Sequence, residues 1–151
     1  LFYIHRYFMH YGFQMWRYWH YGFKEAMQGV VENQDNYSLV FVNNTYEPSL
    51  LHYLFYSKYR PADFQAKFIS DAPMEGAYLG FTGFRFGDKI YFGQSDNLLE
   101  FLQPGMLYLA VQGKEIPGDW DWGKNPPQGM KTIKQVKTPK GDLIFTLVAK
   151  E

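Results

Sequence analysis

Apolar residues return at helical spacing between Tyr21 and Gln34, at Phe23, Ala26, Met27, Val30 and Val31, and a polar stretch over 33–36 stops the pattern. This predicts a helix with one buried face. Residues 38–43 (SLVFVN) form a short, almost continuous apolar run, rich in β-branched and aromatic types, which predicts a central strand covered on both faces. Glu47-Pro48 then opens a second helix, with Leu50, Leu51, Leu54, Phe55 and Tyr59 expected on its buried face and an end near Arg60-Pro61. A short helical turn is expected from Pro61 to Gln65, followed by a loop around Asp71-Ala72-Pro73.

Alternation from Tyr78 to Phe86, a turn at Gly87-Asp88 and a return from Lys89 to Phe92 predict a β-hairpin. Ser95 is expected to cap a short helix with Leu98, Leu99 and Leu102 turned inward, and Pro104-Gly105 to stop it. The run 106–112 (MLYLAVQ) reads as another strand. The chain closes on a hairpin, with strands at 131–137 and 143–149 around a turn at Thr138-Pro139-Lys140-Gly141-Asp142. Helices and strands in this order predict a single α/β domain: a mixed sheet of about five to six strands, flanking helices and a C-terminal β-hairpin.

Length narrows the reading, because 151 residues suffice for one core and not for two. Lys plus Arg and Asp plus Glu both number 15, so the net charge is zero and nucleic acid is excluded as the main partner. Cysteine is absent, which removes disulfides, thiolate metal sites and a cysteine nucleophile. No cofactor is expected: Gly80-Phe81-Thr82-Gly83 lacks the Gly-Lys-Ser/Thr ending of a phosphate loop, and the spacing of His5, His10 and His20 fits no zinc pattern.

The aromatic content of 21% is concentrated at the start, where residues 1–23 hold eleven Phe, Tyr or Trp side chains. Arg6, Arg17 and Lys24 all precede the first acid, Glu25. Rings with polar tips mixed with cations suit the headgroup layer of a bilayer, so Arg6, Tyr7, Phe8, Trp16, Arg17 and Trp19 are the candidate membrane-interface residues. The segment has no apolar run long enough to span a bilayer and lacks the pattern of a signal peptide. Residues 1–20 therefore read as a membrane-proximal segment and 21–151 as the soluble domain; Leu1 in place of an initiator Met fits a polypeptide that continues upstream.

In the Gly- and Pro-rich stretch 113–129, Asp119, Trp120, Asp121 and Trp122 are the candidate sugar or acceptor contacts. An indole face stacks on sugar C–H groups, and carboxylates accept from hydroxyls. The competing reading is that the tryptophans cover the sheet and the glycines and prolines shape a long connection. A two-residue spacing in a loop does not fix the carboxyl separation that glycoside cleavage requires, so no catalytic pair is assigned to Asp119 and Asp121.

The ordered set Tyr7-Phe8-Met9-His10-Tyr11, then Trp19-His20-Tyr21-Gly22-Phe23-Lys24-Glu25-Ala26, then residues 54–61 (LFYSKYRP) with Phe64-Gln65 and the closing Pro139-Lys140-Gly141-Asp142, carries a resemblance. It resembles the C-terminal soluble region of polytopic membrane glycosyltransferases of the mannosyltransferase and aminoarabinose-transferase type, which take sugar from a polyprenyl-phosphate donor. Gly12 departs from the pattern, where a Pro is expected, and 113–129 is particular to this chain. The resemblance implies an extracytoplasmic domain that follows the last transmembrane helix. Its partners would be the membrane surface or the transmembrane part of the same polypeptide, with a glycan or lipid-linked sugar nearby. The family's catalytic carboxylates lie upstream, and none maps onto this chain. The alternative is a secreted carbohydrate-binding or protein-interaction module without catalysis.

Overall fold

A computed structural model of the protein describes residues 2–6, 9–10, 20–46, 48–67 and 80–151. A short helix, α1 (Phe2–Arg6), comes first, and the remaining elements build an α/β domain on a single six-stranded sheet. They are α2 (Phe23–Asn33) with a 3-10 turn at Gln34–Asn36, β1 (Leu39–Asn43), α3 (Ser49–Tyr56), α4 (Pro61–Lys67), β2 (Phe81–Phe86), β3 (Ile90–Ser95), α5 (Leu98–Phe101), β4 (Met106–Val111), β5 (Met130–Lys137) and β6 (Leu143–Lys150). The predicted mixed sheet with a C-terminal hairpin is what forms.

Strand order is β2-β3-β1-β4-β6-β5. β1 lies between β3 and β4 and is parallel to both, whereas the two hairpins, β2–β3 and β5–β6, are antiparallel. β6 returns between β4 and β5, so the last strand of the chain is interior and the edge falls to β5. That edge is irregular: the β5–β6 register shifts between Thr132 and Lys134 and again between Val136 and Lys137.

Alternation along the strands sends side chains to two separate cores. Val40 and Val42 of β1 point to the face covered by α2 and α3, where they meet Phe23, Met27, Val30, Leu50 and Tyr53. Phe41 points to the opposite face, among Phe81, Phe101, Leu102, Tyr108, Ile116 and Trp122. A strand whose neighbours on both sides are paired and whose two faces are both buried explains the near-continuous apolar run of its sequence.

α2 enters close against the sheet. Gly22 before it has φ 87, a left-handed conformation suited to glycine, and a Cβ there would come within 2.9 Å of Val136 Cγ1. At the other end of the sheet Gly83 and Gly93 stand opposite each other in the β2–β3 ladder, and a Cβ on Gly93 would fall 2.1 Å from the Thr82 carbonyl oxygen. The hairpin closes because neither position carries a side chain.

Two helices face differently from the expectation. In α3 the buried residues are Ser49, Leu50 and Tyr53, while Leu51 and Phe55 point to solvent at 64% and 75% exposure. The eight-residue helix carries more apolar side chains than one face can take, and Tyr53, whose hydroxyl donates to Gln34 Oε1 at 2.8 Å, holds the inner place. In α5, Phe101 is buried and Leu99 is exposed. Ser95 does not cap α5; it ends β3 as a buried residue, and Asn97 takes the cap position without a side-chain hydrogen bond.

Candidate functional site

Parallel β3, β1 and β4 deliver their carboxyl ends to one edge of the sheet, the edge at which open α/β sheets place their sites. Ser95, Asn43 and Gln112 arrive there from the three strands, and all three are buried. Below them is Tyr108 of β4, fully buried because it shares the strand face of Phe41. The turn after β4 folds back and places Glu115 against it, and the Tyr108 hydroxyl donates to Glu115 Oε1. The Ser95 N–H also donates to that oxygen at 3.1 Å, and the Val111 N–H donates to Oε2 at 3.3 Å.

Burial raises the Glu115 carboxyl above its ordinary range, and the bonds from Tyr108, Ser95 and Val111 oppose that shift. Tyr108 is raised further, first by burial and then by the negative charge of Glu115 beside it. The Asn43 amide faces the pair, yet Asn43 Nδ2, Ser95 Oγ and Gln112 Oε1 find no partner with good hydrogen-bond geometry. A buried carboxylate, a phenol and three polar atoms without a well-placed partner share this interior. It has the chemistry of a proton-holding site but is covered by the connection that follows.

That connection is where the sugar-contact residues were expected. Trp122 is 1% exposed and packs in the sheet core, its ring edge-on to Trp120 at 5.6 Å. Trp120 is half-buried, and its Nε1 donates to the Asn125 carbonyl at 2.8 Å. Asp121 accepts from Gln135 Nε2 of β5 at 2.8 Å and from the Gly123 N–H at 2.9 Å; the Gln135 bond is the main reason its carboxyl lies below the usual range. Gln112 Nε2 ties the loop to β4 by donating to the Pro117 and Trp120 carbonyls at 2.8 and 3.0 Å. Of the four, Asp119 is the exposed one. The structure thus gives Trp122 to the core and Asp121 to holding the loop.

Beside the end of β3 lies a surface cavity of about 540 Å³, lined by Asp96, Asn97, Glu100 and Gln103 with Phe101 and Met106. Carboxylates and amides of this kind accept from and donate to hydroxyl groups, and Phe101 is the one ring in this lining. Compared with protein-family models, curated proteins and solved structures, the chain matches none.

The membrane-interface candidates fall mostly beyond view. Arg6 ends α1, and its side chain, like Tyr7, Phe8, Trp16, Arg17 and Trp19, lies outside the described residues. No helix among the described residues is long and apolar enough to cross a membrane. Nor do three or more His, Asp or Glu side chains converge there as a metal would need. His20 instead pairs with His52 of α3, Nδ1 to Nε2 at 2.9 Å, and Phe23 stacks on the His52 ring at 4.2 Å. Sequence reasoning missed Glu115. It follows an apolar strand in a turn, directly after Lys114, and nothing in that pattern sets it apart from an exposed acid.

Proposed function

We propose that the chain is an extracytoplasmic accessory domain of a membrane glycosyltransferase that uses a polyprenyl-phosphate-linked sugar. It assists acceptor binding or packs over the membrane catalytic region rather than making bonds itself. The observation that carries the reading, beside the ordered motif set from Tyr7 to Pro61, is where large apolar side chains lie open. Among the described residues these are Tyr3, Ile4, Met9, Tyr21, Leu51, Phe55 and Leu99, and all but Leu99 lie within residues 1–55. Exposed apolar side chains gathered in one part of the chain support a surface meant to be covered.

A free-standing carbohydrate module has less support. Its stacking platform would need Trp122, which is occupied in the core, and Trp120, whose ring nitrogen is already bonded within the loop.

The coding sequence upstream of Leu1 tests the proposal. A series of long apolar helices ending shortly before the aromatic segment is the expected result, and a reading frame without them overturns it.

A further inference from the structure

We propose that the outer face of α3 is itself a lipid-binding surface, which rests on an anionic bilayer with Leu51 and Phe55 in the headgroup boundary and Lys58 and Arg60 at the phosphates. This is a property of the folded domain and holds whether or not a transferase lies upstream.

Three observations meet on this face. The first is the row itself: Leu51 and Phe55 are one helical turn apart, and both are more than half exposed. They keep that exposure although the helix has an inner face, through Leu50 and Tyr53, that already secures it to the sheet. The second is the way the helix ends. Lys58 takes a positive φ of 55, its N–H donates to the Phe55 carbonyl at 3.2 Å, and the Tyr59 N–H donates to the Leu54 carbonyl at 2.9 Å. This turn fixes Lys58 and Arg60, both exposed, directly beyond Phe55.

The third is charge. No acidic residue occurs from Pro48 to Ala62, so beyond Glu47 the apolar row runs into cations, Lys58 and Arg60, at its C-terminal end. The first acid beyond it, Asp63, meets Arg60 at 3.8 Å in an exposed pair, which a lipid phosphate can replace at little cost. From α2, Phe23 stacks on His52, so the exposed Tyr21 and Lys24 stand at the same end of the helical layer, with Glu25 the one acid in that first turn. Apolar side chains that penetrate, tyrosines at the boundary and cations at the rim match an anionic interface and not a neutral one.

The test is co-sedimentation of the full 151-residue chain with vesicles of equal parts phosphatidylglycerol and phosphatidylcholine, and with phosphatidylcholine alone. Binding is expected to the mixed vesicles, and to weaken as salt rises above about 0.1 M, where charges are screened beyond about 10 Å. Phe55→Asp should weaken it by about 10-fold or more, since a Phe leaves the boundary and a negative charge enters. Lys58→Gln and Arg60→Gln should each weaken it about 5-fold. Phe55→Trp should retain binding, and Leu99→Asp on the opposite face should leave it unchanged. Near-ultraviolet circular dichroism checks that each variant is folded.

Three results would overturn the proposal. One is no binding to either vesicle. Another is undiminished binding by Leu51→Asp and Phe55→Asp. The third is a lipid-free dimer of the wild type that Phe55→Asp makes monomeric, which would assign the face to a second copy of the chain.

Discussion

The two faces of the sheet are closed by different means. On one, α2 and α3 lay a regular layer of aliphatic and aromatic side chains over Val40, Val42, Leu107 and Leu109. On the other, a one-turn helix and the irregular stretch 113–129 do the same work, with Ile116 and Trp122 as the covering side chains. A helix satisfies its own backbone. An irregular cover must borrow partners, and here it borrows Gln112, Thr132 and Gln135, each of which hydrogen-bonds the loop. The loop-covered face therefore hangs on polar contacts made to the loop, and it is also where a carboxylate is buried. On the helix-covered face such contacts, Tyr53 to Gln34 and Ser49 to the Asn43 carbonyl, supplement helices that satisfy their own backbones.

Removing a fully buried side chain from each cover puts this contrast to its hardest test. Trp122→Ala should cost about 3–5 kcal/mol in denaturant unfolding and Met27→Ala about 2–5 kcal/mol, since both residues are almost fully buried. A Trp122→Ala cost below about 1 kcal/mol would mean that the loop does not close its face.

Next is Glu115. Its replacement by Ala leaves the Tyr108 hydroxyl and the Ser95 and Val111 N–H groups short of an acceptor, at a cost of about 2–3 kcal/mol. Glu115→Gln keeps an acceptor and has no proton to lose. Because burial raises the carboxyl in the folded state, its contribution to stability is fully present below the ordinary Glu range and is lost as pH rises through the raised value. Unfolding measured across that window should show Glu115→Gln gaining on the wild type as pH increases. A constant difference between the two would place the carboxylate in water.

A smaller effect is expected from Gln112→Ala, which strands the Pro117 and Trp120 carbonyls: about 1 kcal/mol, together with faster amide exchange confined to the loop. Least of all, Phe55→Asp should change stability by no more than about 0.5 kcal/mol, because the outer row of the helical layer holds nothing together. A large cost there would show that the row is packed, and the contrast between inner and outer faces of α3 would fail.

Legibility followed the same division. α2 was readable because Phe23, Ala26, Met27 and Val30 repeat with the helix, and β1 because a strand buried on both faces has no polar alternation. α3 was legible as a helix but not in its facing: with Leu50, Leu51, Leu54 and Phe55 all apolar, periodicity cannot choose between faces, and the choice was made by the Tyr53–Gln34 contact with another element. The loop gave no period at all. Trp122 is equally compatible in sequence with a sugar platform and a core, and only its neighbours on β4 and β6 decide. Glu115 was invisible for a related reason, since an acid in a turn ordinarily faces water and nothing local signals that it folds back onto Tyr108.

The irregular edge of the sheet has a bearing on how copies of this protein coexist. β5 offers its outer side to any passing strand, yet its two register shifts break the even spacing that a new ladder needs, and Lys131, Lys134 and Lys137 are spread along its length. An arriving strand would meet mismatched amides and have to bury ammonium groups. Copies crowded side by side are thus kept from joining sheet to sheet along β5 and from seeding fibres there.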